Sequence, residues 1–261
     1  MITSTANARV KLVRALLDDR QARQRQRKWC LEGVRLLEEG LAADLRFEFV
    51  FFVPDETGGA RRRALLHALQ ARGVPCEPVA PHVLAAMSDT VTPQGILAVA
   101  PWPVPRPMAA HGLLLILDRL ADPGNLGTIL RTALAAGCAG VVLTPGSVDP
   151  YNPKVVRSAM GAHLRLPLLA AGGWEQITAA IGTRPLWLAD AQGSVVYDVV
   201  DWSVPSALIV GSEAAGAGTV ARAAASGRVA IPMAAGESLN AAAAAAVFCF
   251  EVARQVRQRS G

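Results

Sequence analysis

A chain of 261 residues, 52% hydrophobic and 18% charged, has material for one large core or two modest ones. Four cysteines (Cys30, Cys76, Cys138, Cys249) without a CxxC pair, and four scattered histidines, argue against a disulfide scaffold or a metal centre and for a reducing compartment. The net charge of +5 is local: residues 1–35 hold nine Lys and Arg against three acids, which suits a polyanion (nucleic acid ahead of a membrane surface) or a solvated helix face.

The first hundred residues read as a compact α/β domain. Val10, Val13, Leu16 and Leu17 recur at helical spacing in Asn7–Leu17, and residues 2–40 as a whole look helical. Gln21–Lys28 is a polar, basic face or loop, Trp29–Gly33 a short strand, and Val34–Leu41 a helix closed by Gly40. Arg46–Val53 is strand-like and ends at Pro54. Arg61–Arg72 is a helix whose opening cations, Arg61, Arg62 and Arg63, sit badly against the helix dipole; they want an anion or face solvent. Pro75–Val79 is a strand, Pro81–Met87 a helix and Gly95–Ala100 a strand.

Pro101–Pro107 carries Pro at every second position and marks a stiff linker. Strand and helix alternate beyond it: strands at Leu113–Asp118, Gly140–Thr144, Leu164–Leu169, Pro185–Ala189, Ala207–Val210 and Arg228–Pro232, and helices at Asn125–Ala136, Pro153–Gly161, Trp174–Ile181 and Val220–Ser226. A last helix opens at Ser238 and runs through Arg257. The pattern is that of an α/β layered domain on a largely parallel sheet. No apolar signal segment opens the chain, and the longest apolar run, Ala241–Phe250, is about half a membrane span, so a soluble cytoplasmic protein is expected.

Three loops after strands carry more than a turn requires. In Asp122–Arg131, the one cation, Arg131, stands among Leu, Ile, Thr and Ala; its side chain reaches back toward the loop or snorkels to solvent. The second loop is Gly211-Ser212-Glu213-Ala214-Ala215-Gly216, and the third runs from Ile231-Pro232-Met233 to Ser238-Leu239-Asn240. Loops at the carboxyl edge of a parallel sheet converge on ligand sites, and glycine lets backbone approach a ligand closely. Ser238 also fits a helix N-cap, and Asn240 does so less well. The spacings of a dinucleotide fingerprint and of a P-loop are absent.

Asn125-x-Gly127-x3-Arg131, Gly211-x-Glu213-x2-Gly216 and Ile231-Pro232-Met233…Ser238-Leu239-Asn240, in this order, resemble the three motifs of the SpoU (TrmH-like) RNA 2′-O-ribose methyltransferases of the SPOUT superfamily. Lys154-x2-Arg157-Ser158-x2-Gly161-Ala162 resembles an intermediate segment of that family. Residues 2–100 are similar to its L30e-like extension through Ile2-Thr3-Ser4-x2-Asn7, Val10-Lys11 and Leu31-Glu32-Gly33. Ser212 departs from the Asn or Ala usual before the motif-two Glu, and Ala241–Ala246 is unbroken alanine.

The resemblance implies an α/β protein with a C-terminal SPOUT knot domain (a deep trefoil knot, residues 108–261), a linker at 101–107, and an L30e-like RNA substrate-binding domain at 1–100. It implies transfer of a methyl group from S-adenosylmethionine to a ribose 2′-hydroxyl of RNA, 23S ribosomal RNA ahead of tRNA. It also implies a homodimer, formed through the C-terminal domain, with sites drawn from both chains. Catalytic roles fall on Asn125, Arg131, Glu213, Ser238 and Asn240, and the cofactor site on Gly211, Ile231, Met233 and Leu239, with no metal and no membrane. Arg9, Lys11, Arg23, Arg25, Arg27 and Lys28 of the basic segment are the expected RNA contacts. An Arg is ordinarily always protonated and a poor base. Arg131 is therefore either deprotonated with help from a substrate phosphate or, as the pKa favours, stabilises the developing alkoxide. The alternatives are a tRNA methyltransferase and a non-catalytic ribosome-assembly factor on the same fold. A resistance enzyme acting at a drug site on 23S RNA is a special case of the first reading.

Overall fold

The computed structural model describes residues 1–54, 59–88, 93–213, 215–236 and 238–260; Ala214 and Glu237 of the second and third loops lie outside them. The chain forms two compact units, Met1–Val104 with Tyr151–Leu164, and Pro105–Pro150 with Arg165–Gly261.

The first unit contains α1 (Ala8–Asp18), α2 (Arg20–Gln26), β1 (Lys28–Glu32), α3 (Val34–Ala42), β2 (Phe49–Phe52), α4 (Gly59–Ala71), β3 (Cys76–Pro78), α5 (Pro81–Ala85) and β4 (Ile96–Pro101). Its sheet has the order β1-β4-β2-β3, with β4 antiparallel to β1 and β2, and β2 parallel to β3. Strand side chains alternate between faces. Phe49, Phe51, Leu97 and Val99 join α1 in one apolar cluster. Val50, Ile96 and Ala98 join Leu36, Leu37 and Leu65 in another. Both faces of the sheet are thus covered by helices.

Local expectations shift where tertiary contacts intervene. The N-terminal helical run breaks into α1 and α2 because Asp19 turns extended and caps α2 through Gln21 N at 2.7 Å. Gly40 does not end α3; it lies inside the helix, where a Cβ would stand 2.6 Å from the Phe47 ring. Arg61 finds its anion in Glu38, with Nε 2.8 and 3.1 Å from the two carboxylate oxygens, and this hydrogen bonding holds the Glu38 carboxyl below the usual range.

The second unit begins with β5 (Leu113–Asp118), α6 (Pro123–Ala136) and β6 (Gly140–Leu143). The next element, α7 (Pro153–Ala159), and a 3-10 turn at Ala162–Leu164 belong to the first unit. The second unit resumes with β7 (Leu168–Ala170), α8 (Trp174–Ile181), β8 (Leu186–Ala189), β9 (Val195–Val196), β10 (Ser206–Gly211), α9 (Thr219–Ala224), β11 (Gly227–Ala230) and α10 (Ala241–Ser260). Its seven strands are all parallel, in the order β7-β6-β5-β10-β8-β11-β9. Leu113–Leu117 are fully buried, as a central parallel strand requires.

Within the stretch 108–261, Tyr151–Leu164 packs with the first unit. Tyr151 stacks on Trp102 with centroids 4.5 Å apart and meets Trp29 edge-on at 5.5 Å, while Val156 and Leu164 enter the Trp29 cluster. Of the stretch 101–107, Trp102 joins this stack and Pro101 pairs with Lys28 as the end of β4. The strand expected at Leu164–Leu169 is reduced to β7, because Leu164 closes the 3-10 turn. Among the described residues no helix is long and apolar enough to cross a membrane.

Candidate active site

Three strand ends set the site. β5 and β10 are neighbours, with Asp118 opposite Gly211, so the first and second loops leave the sheet side by side. Asp122 then caps α6 by accepting from Asn125 N at 2.7 Å, and Pro123 occupies the first helical turn, which places the Asn125 side chain at the helix mouth. After β10 the chain doubles back. Ser212 and Gly216 exchange main-chain hydrogen bonds of 3.2 and 2.8 Å, with Gly216 at φ +62. The main chain of Gly216 and Ala217 occupies the space a Cβ on Gly211 would need, so only glycine fits there. The third loop feeds α10, whose N–H groups at Ala242 and Ala243 donate to Asn240 Oδ1 at 2.9 and 3.3 Å. Asn240, and not Ser238, therefore caps this helix, which begins three residues after Ser238.

The three loops meet through side chains. The Asn125 amide donates to Glu213 Oε1, and Asn125 Oδ1 accepts from Asn240 Nδ2 at 3.1 Å. The chain has one polarity: α10 amides donate to Asn240, Asn240 to Asn125, and Asn125 to a carboxylate. The positive end of a helix dipole thus stands at one end and an anion at the other. Below Glu213 lies a cavity of about 280 Å³ lined by Gly211, Ser212, Glu213, Ile231, Met233, Ser238, Leu239 and Phe248.

Residues 112–250, which span all three loops, match the family model described as the SpoU rRNA methylase family. The chain belongs to that family. Residues 7–98 match the MRM3-like substrate binding domain. The chain is 32% identical to the 23S rRNA (guanosine(2553)-2'-O)-methyltransferase RlmP of Bacillus subtilis, over 96% of this chain and 98% of that one. An uncharacterised tRNA/rRNA methyltransferase of Synechocystis is 38% identical, over 97% and 93%. The crystal structure of the SpoU methyltransferase AviRb from Streptomyces viridochromogenes, in complex with AdoMet, superposes with a TM-score of 0.88 at 28% identity, covering 98% of this chain and 99% of that one.

Within this SpoU frame the structure brings together Asn125, Glu213 and Asn240 by hydrogen bonds, and Gly211, Ile231, Met233, Ser238 and Leu239 around the cavity. Arg131 stands apart. It is exposed on α6, does not line the cavity, and makes no hydrogen bond or ion pair among the described residues. Asp190 and Arg222 line the cavity as well and were not singled out in the sequence. Arg222 donates to Asp190 at 3.1 Å and to the Ala217 carbonyl at 2.9 Å, bracing the second loop. The available signal was position: Asp190 directly follows β8 at the carboxyl edge of the sheet.

The basic segment divides. Arg23, expected among the RNA contacts, is 3% exposed and donates to the carbonyls of Leu16 and Leu17 at 2.7 and 3.1 Å, closing the end of α1 as an interior residue. Arg9 pairs with Glu77, and Lys28 with Glu48 at 2.8 Å. Lys11, Arg25 and Arg27 are exposed, with Arg27 stacked over Trp102 at 5.2 Å.

Proposed function

We propose that this chain transfers a methyl group from S-adenosylmethionine to a ribose 2′-hydroxyl of ribosomal RNA of the 23S type. The observation that carries the reading is the convergence of Glu213, Asn125 and Asn240 at a cavity walled by Gly211, Ile231, Met233 and Leu239. The lining suits an adenosyl group. Ile231, Met233 and Leu239 offer an apolar slot for a base, and the glycine-bounded second loop offers main-chain donors and acceptors. The solved SpoU relative that holds AdoMet and the relative named for 23S rRNA 2'-O-methylation support the same assignment.

When bound, S-adenosylmethionine supplies an electrophilic methyl on a sulfonium centre. The residues of the chain do the rest. Asn125 has one amide N–H committed to Glu213 and its carbonyl committed to Asn240, so its orientation is locked and its second N–H serves the ribose or its phosphate. Glu213 holds Asn125 and, through it, keeps the first and second loops in register. Asn240 ties that pair to α10, and Ser238 offers its hydroxyl at the cavity wall. Arg131 donates hydrogen bonds to the 2′-oxygen and stabilises the charge that develops there as the hydroxyl proton passes to solvent water.

The exposed, uncommitted position of Arg131 favours a homodimer through the C-terminal domain in which Arg131 of one copy serves the cavity of the other. Six residues past Asn125, it emerges on a different face of α6. We extend the proposal to a deep trefoil knot in the second unit, supported by the late strand β10 lying between β5 and β8. Residues 1–100 act as the RNA-binding domain, supported by the substrate-binding family match, with 101–107 as linker, 108–261 as the methyltransferase domain, and the cytoplasm as the compartment. The test is incubation of purified protein with methyl-labelled cofactor and 23S transcript, followed by nuclease mapping. The expected product is one 2′-O-methylated nucleotide. Cofactor binding without transfer to any RNA overturns the enzymatic reading in favour of an assembly factor, and transfer to tRNA alone overturns the substrate.

A further inference from the structure

We propose that Asp118 is a positioning residue that latches the cofactor loop, an inference that rests on the reading of the cavity as an S-adenosylmethionine site. Asp118 ends β5 and is 3% exposed. A carboxylate so deep is costly unless fully hydrogen-bonded, and both of its oxygens are engaged. Oδ1 accepts from the Thr144 hydroxyl at 2.8 Å. Oδ2 accepts from the Gly218 main-chain N–H at 2.7 Å and lies 3.5 Å from Arg119 Nε. The Thr144 oxygen accepts in turn from Arg119 N at 2.9 Å.

One carboxylate thus ties three chain segments: the end of β5, the residue after β6, and the last residue of the loop that enters α9. Two further features show how tightly the arrangement is determined. Arg119 adopts φ +54, a left-handed conformation uncommon for a residue with a side chain. Its guanidinium lies along Gly218, where a Cβ would stand 3.1 Å from Cζ. Gly211, Ser212, Glu213, Gly216 and Ala217 of the second loop form one wall of the cavity. The loop's near end is held by the β10 ladder, its middle by the Ser212–Gly216 pair, and its far end by Asp118. Asp118 does not line the cavity and, among the described residues, shares no hydrogen bond with Asn125, Glu213 or Asn240. Its effect is to fix the second loop relative to the first, so that Glu213 meets Asn125 and the loop amides are set before the cofactor arrives. Preorganisation of this kind lowers the ordering cost of binding.

The experiment compares full-length wild type, Asp118→Ala, Asp118→Asn and Thr144→Val by calorimetry with S-adenosylmethionine, by steady-state kinetics and by thermal melting. Asp118→Ala is expected to raise the cofactor Kd and KM roughly tenfold or more, with kcat at saturating cofactor and RNA affinity within about threefold of wild type. Asp118→Asn keeps an oxygen for Gly218 and an amide for Thr144, and is expected to restore Kd to within about threefold of wild type; Thr144→Val falls between. A purely structural role predicts a lower Tm with an unchanged cofactor Kd at a temperature where the variant is folded, and that result overturns the proposal. If Asp118→Ala does not fold, Thr144→Val decides, and a wild-type Kd overturns the proposal. Wild type failing to bind the cofactor sinks the functional reading itself, whereas wild type and Asp118→Ala binding equally well sink only the latch.

Discussion

At the scale of single residues, the site separates groups that hold one another from groups that wait for substrate. In the proposed reading Arg131 belongs to the second kind. Arg131→Ala is expected to lower methyl transfer by about a hundredfold or more, while the cofactor Kd by calorimetry moves less than about threefold, because its proposed partner is the ribose 2′-oxygen and not the cofactor. Asn240 has two separable jobs. Asn240→Ala removes the α10 cap and the bond to Asn125, costing about 1 kcal/mol of stability together with turnover. Asn240→Asp keeps a capping oxygen but sets an acceptor against Asn125 Oδ1, so a melt near wild type should accompany reduced turnover. The basic segment yields a third test. Arg23→Ala should lower Tm and leave RNA affinity unchanged. Replacing Lys11, Arg25 and Arg27 together by Ala should weaken RNA binding and flatten the slope of log K against log salt by about 2, as filter binding across a salt series would show.

At the scale of elements, helix ends and strand ends position the candidate site. α6 and α10 are both capped by side chains from the site loops, Asp122 and Asn240, so forming these helices also positions Asn125. Near the far end of α10, hydrogen bonds from Arg254, with Gln255 behind them, hold the Glu251 carboxyl below its ordinary value. A carboxyl depressed in the folded state stabilises above its unfolded pKa and ceases to do so as pH falls through the folded value. The Tm difference between wild type and Arg254→Ala should therefore be present at pH 7 and shrink as pH drops below about 4. A difference that grows in acid would show that the pair is not the source.

At the scale of the whole molecule, the question is whether one chain suffices. If Arg131 serves the partner's cavity, as proposed, Arg131→Ala and Gly211→Ala are each expected to be inactive alone. A refolded equimolar mixture should then regain about a quarter of wild-type activity, since half of the dimers would be mixed and each mixed dimer would have one complete site. Two inactive variants that stay inactive when mixed would place Arg131 and the cavity of one chain in the same site.

What the sequence determined by itself is what local chemistry encodes. Six apolar residues ending in Asp118, a Pro-Gly-Asn loop and an Ala-Leu helix are legible as strand, loop and helix because burial, capping and propensity act over a few residues. The three motif spacings likewise announced which loops matter. Only the tertiary structure decided which groups meet. Arg23 reads like its exposed neighbours until α1 closes over it. Ser238 and Asn240 both suit a cap until the first turn of α10 is placed. Tyr151–Leu164 lies between strands of the second unit, yet the rings of Trp29 and Trp102 bind it to the first. Asp118 looks like a strand end until Thr144 and Gly218, 26 and 100 residues away, arrive at its two oxygens. Periodicity names the face a residue occupies; the partner across a long loop is set by packing of the whole chain.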